Sequence, residues 1–488
     1  MRLLIICIAM VASMGGAHAV APDLVLRGSL TGADHHTYRT APFVVPAGVA
    51  RITVEFDYTG KEQRGVLDLG LLGPDGAIRG WSGGNKRLFT ISGVDATPSY
   101  LPTATSAGTW ALLLGVPNLR KDARADYTAK VYFSKSLATA DEPEVLRTPL
   151  RAGAGWYRGD LHSHTGHSDG SCATRSGGKP VPCPLFLTAQ AAAQRGLDFI
   201  AVTEHNGVAH ANTIRELQPY FDQLLLFPGR ELTSFSGHGN FFGSVAPIDF
   251  RVGGGGQRDW DTVLAGLPEQ GLFSINHPVR PSGELCMGCG WESDTDMRRV
   301  QAIEAVNGAD ADTLYSGIPF WQAQLKRGLH LTAIGGSDNH HADQADAHAA
   351  GAIGSPTTVV YAAELSQTAI LEAIRAGHVF VDVAGSPDRV LELTARAAGA
   401  RAMMGDSLRA PAGASIDFTV RVVHAAGCQV VIVVDGEPAA LVKDGRIGSD
   451  DAQQDFAWPS DGKRHWLRAD VRSVDGKLLL LGNPIYMN

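Results

Sequence analysis

With 488 residues, 44% of them hydrophobic and 19% charged, the chain has the composition of a globular protein with ample core and exceeds one ordinary domain. The formal charge of -8 is modest for that length, and no Lys/Arg-rich block is present to track a phosphate backbone, so nucleic acid is not an expected partner. Beyond the first residues nothing approaches 18 uninterrupted apolar positions, and no membrane span is expected.

The opening "MRLLIICIAMVASMGGAHAV" has one basic residue, an apolar run and small residues ending in Ala17-His18-Ala19. That is the shape of a secretory signal cleaved after Ala19, with a run too short to cross a bilayer; a buried N-terminal helix is the alternative. Residues 1–19 are therefore expected to be a signal peptide, and the mature protein to be periplasmic or secreted. Cleavage removes Cys7 and leaves Cys172, Cys183, Cys286, Cys289 and Cys428. The near pairs can staple loops as disulfides in an oxidising compartment, while "CMGCG" also reads as half of a zinc site that lacks a second pair.

Residues 20–145 carry short alternating runs, among them "RITVEFDYTG", "GVLDLGLLGPDG", "TWALLLGV" and "YTAKVYFS", spaced as in a β-sandwich. Periodicity then falls in a proline-containing stretch, with residues 146–155 assigned as a linker. Over 156–384, apolar runs such as "GLDFIAVT", "LLLFPG", "GLFSIN", "VQAIEAVNG" and "LHLTAIGG" alternate with the helical stretches "LFLTAQAAAQRG", "TIRELQPYFDQ", "WDTVLAGLPEQ" and "IPFWQAQLKRG". This alternation predicts a parallel α/β sheet long enough to close into a barrel. Alternation of period two returns over 385–488, predicting a second small sandwich. Both sandwiches lack a catalytic constellation; their Trp81 and Trp458 read as core or, less readily, as sugar-binding aromatics.

In parallel α/β barrels the working groups gather at the carboxyl ends of strands. Here the runs end in "DLHSH", "AVTEHN", "FPGREL", "FSINHP" and "IGGSDNHH". They deliver His162 and His164, His205, Glu231, His277, and Asp338 with His340 to one rim. His162 and His164 are two apart and share a strand face, as do Asp338 and His340. Asp169 and His238 complete nine candidate ligands, more than one tetrahedral site needs, which predicts two or three divalent ions. A lone strand-end histidine is usually a hydrogen-bonded structural residue; five coincident strand ends carry the metal reading. His167, His210 and His341 fall outside the pattern and read as surface or supporting residues. Imidazole and carboxylate without thiolate suit Zn, Mn or Fe.

These motifs, "GDLHSHTGHSDG", "FIAVTEHN", "GREL", "INHP" and "GGSDNHH", resemble the successive motifs of the polymerase and histidinol phosphatase (PHP) superfamily of metallohydrolases, and most of all its exported branch that includes carbamate-insecticide hydrolases. The resemblance covers residues 156–384 and implies an α/β fold, a distorted (β/α)7 barrel, here flanked by the two β-sandwiches. It implies one metal on His162, His164, Glu231 and Asp338, a second sharing Glu231 and adding His238 and His277, and a third on Asp169, His205 and His340. Glu204 stands where many members have aspartate, and the His238 motif is loosely spaced.

Adjacent divalent ions ionise a water between them and polarise the group it attacks. A metal-dependent hydrolase of a small-molecule ester is thus expected, with Glu231, Asp338, His340 and Arg280 in catalytic roles. A phosphoester is the first substrate reading, with a carbamate or carboxylic ester of the same chemistry as the alternative. Arg280 and Arg230 can clamp an anionic oxygen or simply pair with a nearby carboxylate. His340 or His341 can protonate a leaving group, and Trp291 can wall an apolar pocket or pack in the core. A secreted binding protein with structural metals is the reading from another class, disfavoured because structural sites close on four ligands.

Overall fold

The computed structural model describes residues 21–253, 259–284, 286–344, 346, 349 and 351–487. The expected signal peptide lies outside the described residues. The protein is mixed α/β and strand-rich, with several sheets. Among the described residues no helix is long and apolar enough to cross a membrane.

The N-terminal segment forms two four-stranded antiparallel sheets. Its strands alternate as a half-buried sheet demands: in Tyr38–Val45, Ala41, Phe43 and Val45 are buried and the residues between them exposed. Both inner faces meet in one core that includes Phe43, Val54, Phe56, Leu69 and Trp110. Trp81 packs against Gly70 and Gly115, and a Cβ on either glycine would clash with its ring.

The middle unit begins with β1 (Arg151–Asp160), α1 (Leu185–Gln194), β2 (Phe199–Val202), α2 (His210–Leu217), β3 (Leu225–Ser234) and β4 (Gly237–Phe242). It continues through α3 (Trp260–Ala265), β5 (Leu272–Ile275), β6 (Ala302–Asn307), α4 (Ile318–Lys326), β7 (Thr332–Gly336), β8 (Thr357–Leu365), α5 (Gln367–Ala376) and β9 (Val379–Asp382). The strands β1, β2 and β3 are parallel neighbours, as are β5, β6 and β7. The expected all-parallel sheet is interrupted by β4, which runs antiparallel to both β3 and β5. A two-residue turn, Phe235–Ser236, makes that reversal, so no crossover helix is needed there. All six residues of β4 are buried, which removes the alternation that would have marked it.

The two ends of this run of strands meet just past β1 and β7. Asp338 N–H donates to the His162 carbonyl at 2.9 Å and His164 N–H to the Asn339 carbonyl at 2.8 Å, a parallel bridge between Ser163 and Asn339. Gly336 permits the approach, since a Cβ there would stand 2.4 Å from His162 Cβ. Farther down, the Thr358 hydroxyl links β8 to Gly335 of β7 at 2.8 and 2.6 Å.

The expected second sandwich at 385–488 has one sheet of its own and shares the other with the middle unit. Leu478–Gly482 pairs antiparallel with β9, and His465–Arg472 and Gln429–Val434 follow it in the same sheet. The reason is burial: every residue of β9 is buried, so its second edge needs a strand partner. Trp458 packs against the core between the sheets.

The N-terminal sandwich docks on α2 through buried charges. Arg51 and Asp95 pair at 3.0 Å with side chains 1% and 0% exposed, Arg215 of α2 reaches Asp95 at 2.6 Å, and Glu142 bonds both arginines at 3.1 Å.

Candidate metal centre

The chain bends at Leu161 on leaving β1, and His162 and His164 both turn their Nε2 atoms to Asp338 Oδ1. Asp160 fixes this exit: its buried carboxylate accepts N–H bonds from His162 (3.1 Å), Ser337 (3.0 Å) and Gly354 (2.7 Å), tying the ends of β1 and β7 together. His205 follows β2, Glu231 lies inside β3, His238 inside β4, His277 follows β5, and Asp338 and His340 follow β7. His277 and Asp338 adopt positive φ, 27° and 53°. Such backbone costs on the order of 1–3 kcal/mol per residue and clusters where side chains must be aimed.

The distances separate two kinds of contact. Donor atoms each about 2.1 Å from one tetrahedral ion stand about 3.4 Å apart, whereas an N–H···O bond closes to about 2.9 Å. His162 Nε2 lies 3.4 Å from Glu231 Oε1 and 3.3 Å from Asp338 Oδ1. His164 Nε2 is 3.2 Å from Asp338 Oδ1, and His277 Nε2 and His238 Nδ1 are 3.3 and 3.4 Å from Glu231 Oε1. Asp169 Oδ1 stands 3.5 Å from His205 Nε2 and 3.4 Å from His340 Nε2. These spacings match those between donor atoms around one ion, although the His277–Glu231 contact also meets hydrogen-bond geometry.

The remaining contacts are true hydrogen bonds. His162 Nδ1 meets Glu304 Oε1 at 2.8 Å, His205 Nδ1 meets Thr233 Oγ1 at 2.7 Å, and His340 Nδ1 donates to the Asp338 carbonyl at 2.8 Å. Asn276 Nδ2 donates to Glu231 Oε1 at 2.9 Å. Partners of this kind fix the tautomer and orientation of a ligating ring or carboxylate. Meanwhile His162 Nε2 and both ring nitrogens of His164 are buried and make no hydrogen bond, which leaves them open to another partner.

All nine sequence-level candidates come together in overlapping groups whose donor atoms lie within 4.8 Å of one another: His164, Asp169, His205 and His340; His162, His164 and Glu231; His162, His277 and Asp338; and His238 with His277. The grouping differs from that implied by the resemblance in that His164 also reaches the Asp169 cluster and His277 also reaches His162 and Asp338.

Charge makes the same point. Burial raises the carboxyls of Glu231 and Asp338, yet His162 and the neighbouring imidazoles hold both well below the usual range. Asp169 is likewise lowered by His205 and His340 against the opposing effect of burial. In turn His162 is pushed well above its ordinary value by Asp338, Glu304 and Glu231, and His205 up to about 10 by Asp169 and Glu231, although burial opposes both. Burial lowers His164. Without cations the charge of the buried carboxylates is balanced by protons held on imidazoles such as His162 and His205, and divalent ions can take over that role.

Glu304 of β6 was not among the sequence-level candidates. Its second oxygen accepts His277 N–H at 2.9 Å and Asn307 Nδ2 at 3.0 Å, so one carboxylate orients two candidate ligands. A carboxylate inside a strand whose six residues are all buried is the signal that could have found it. Glu204 is not drawn into the cluster; it accepts from Thr165 N–H (3.0 Å) and from the Thr165 and Ser168 hydroxyls, holding the turn after His164. Asp169 lies just before the loop that the Cys172–Cys183 disulfide closes, and between them Ser171 N–H donates to the His340 carbonyl at 2.7 Å. Cys286 and Cys289 are also disulfide-bonded, and Cys428 is free.

The arginines are taken. Arg280 pairs with Asp310 at 2.8 Å and Asp338 at 3.3 Å, and also donates to Asn307. Arg230 is buried on the strand face opposite Glu231, donates to the Ser244 carbonyl at 3.1 Å, and has its pKa lowered by burial to about 10. It therefore faces no substrate. Of the surface and supporting readings of His210, full burial removes the first, and burial lowers its pKa to about 4. His341 Nδ1 bonds Ser171, and Trp291 packs on Trp260 in the core instead of walling a pocket.

No family model matches the chain, and no curated protein matches it. Among solved structures it is similar to a two-domain protein from Bacteroides vulgatus ATCC 8482 described as containing a predicted PHP-like metal-dependent phosphoesterase. The identity is 17% and the TM-score 0.37, over 68% of this chain and 96% of that chain.

Proposed function

We propose that the protein is a metal-dependent hydrolase whose centre is built from His162, His164, Asp169, His205, Glu231, His238, His277, Asp338 and His340. The observation that carries this reading is the coincidence of spacings like those between ligands of one ion with buried imidazole nitrogens that make no hydrogen bond. Two or three Zn, Mn or Fe ions bound there would supply Lewis acidity and an ionised water near neutral pH. Glu231 is central because one oxygen lies 3.3–3.4 Å from His162, His238 and His277 and the other approaches His164 at 3.7 Å while bonding His205 Nδ1 at 2.8 Å, so it is the residue placed to be shared between ions. Asp338 is held from outside by Arg280, which acts as a positioning residue, and His340 closes the solvent-facing side with Asp169.

The preferred substrate is a phosphoester. Four carboxylates converge on the site, Asp169, Glu231, Glu304 and Asp338, while Arg280 is offset by Asp310. Three divalent ions would bring six positive charges against those four negative ones and the charge of the ionised water, and the remaining positive charge suits an anionic phosphoester. A carboxylic ester or carbamate is the second reading, favoured by Phe235, Met287 and Val279, which are 90%, 72% and 36% exposed beside the His238 and His277 positions. An extracytoplasmic site of action fits the two disulfides.

Metal-reconstituted protein assayed on chromogenic phosphomonoesters, phosphodiesters, carboxylic esters and carbamates tests the proposal, with His164→Ala as control. Turnover of phosphoesters that chelation abolishes and Mn or Zn restores is expected. Equal turnover by His164→Ala on every compound, or a ligand-binding activity that survives chelation with no turnover, refutes it.

A further inference from the structure

We propose that Cys289 becomes a metal ligand when the Cys286–Cys289 disulfide is reduced, completing a His238–His277–Cys289 site under redox control. The inference rests on the metal-centre reading above. Three observations carry it. The Cys289 sulfur and the donor nitrogens of His238 and His277 lie within 4.8 Å of one another, and all three residues are buried. The loop between the cysteines already touches this part of the centre: His238 Nε2 donates to the Met287 carbonyl at 3.2 Å, and Gly288 packs on the Ser234–Phe235 turn that leads into β4. Finally, His277 Nδ1 is buried without a hydrogen-bond partner.

The two sulfurs differ in access. Cys289 is 1% exposed, whereas Cys286 is partly exposed and anchored by paired backbone bonds with Gly283. A small dithiol therefore attacks Cys286. Its thiolate sulfur bonds to the Cys286 sulfur, the Cys286–Cys289 bond breaks, and the electron pair leaves on Cys289 as thiolate. The second thiol of the reductant then displaces Cys286, giving it a proton; the reductant ends as its own disulfide, oxidised by two electrons, and the first thiol's proton goes to solvent. Cys289 is released where a cation held by His238 and His277 would accept it. A thiolate added to imidazole and carboxylate donors shifts the preference of that site from Mn toward Zn and fills a position otherwise open to water or substrate.

Cobalt(II) provides the test, because its visible bands report binding and a near-ultraviolet charge-transfer band reports a thiolate ligand. Oxidised full-length protein is loaded with cobalt, and a second portion is loaded after reduction with dithiothreitol and anaerobic desalting. Both should show the visible bands. The charge-transfer band should appear only after reduction in the wild type, without reduction in Cys286→Ser, and never in Cys289→Ser, where the Cys172–Cys183 pair is reduced all the same. One thiol per reduced wild-type chain should also lose its reactivity to alkylation when zinc is added. Visible bands with no charge-transfer band in the reduced wild type overturn this inference alone, and that outcome does not depend on whether Cys286→Ser folds. Absence of all cobalt bands from the oxidised protein overturns the metal-centre reading, and this inference with it.

Discussion

Replacing Glu304 by Gln isolates one supporting contact. The carboxylate faces His162 Nδ1 with one oxygen at 2.8 Å and the His277 N–H and Asn307 Nδ2 with the other at 2.9 and 3.0 Å. A glutamine of the same size has one oxygen. Turned toward His277 and Asn307, it sets an NH2 against His162 Nδ1 and forces the proton onto Nε2, the nitrogen that faces Glu231 and Asp338; turned the other way, it opposes N–H to N–H. Either orientation loses one charge-assisted hydrogen bond, about 1.5–3 kcal/mol, and loss of such a partner typically lowers metal affinity by about 10–100-fold. The expected result is a loss of that size for the ion touching His162, with affinity at the Asp169, His205 and His340 cluster unchanged. Stepwise zinc competition against a chromogenic chelator, on metal-free protein with an unaltered circular dichroism spectrum, measures it. Unchanged affinity, or an equal loss at every ion, would refute the reasoning.

Asp95→Asn leaves Arg51 and Arg215 buried with only Glu142 between them and should destabilise the protein by about 3 kcal/mol in urea unfolding. In the wild type, burial raises the Asp95 carboxyl but Arg215 and Arg51 outweigh it, so its folded value lies below 3.8. Its contribution is therefore present above that pH and is lost as pH falls through the lower folded value; urea midpoints measured down an acid series should drop there in the wild type and less in Asp95→Asn. At the metal centre the pKa shift is opposite, upward, but the pH trend is the same. His205 holds its proton up to about 10 in the metal-free protein, so metal must displace it, and affinity should rise with pH below that value. Calorimetry in two buffers of different ionisation heat should show proton release on zinc binding at neutral pH; no release contradicts the charge balance described above.

The mixed α/β character was legible because period-two runs and helical stretches alternate openly along the chain. The candidate site was legible where a His or Asp interrupts the end of an apolar run, as at "DLHSH" and "IGGSDNHH". Other features were hidden for physical reasons. The reversed strand β4 is buried on both faces and shows no alternation. Sharing of a sheet between the middle unit and the C-terminal segment depends on which edge of β9 is left open, a tertiary fact that local pattern does not carry. Glu304 sits inside a strand that read as ordinary core, and for Arg280 the choice between an anionic substrate and a carboxylate partner was open until the fold brought Asp310 and Asp338 to it. The Arg51, Asp95, Glu142 and Arg215 cluster joins residues from distant segments whose charges are unremarkable one at a time.

Metal content per chain, measured by inductively coupled plasma mass spectrometry after reconstitution and gel filtration, addresses the central claim most directly. Two or three divalent ions are predicted for the wild type, falling to one or none in Glu231→Ala because that carboxylate touches five of the imidazoles. Less than one ion per wild-type chain, or equal content in the two proteins, would contradict it.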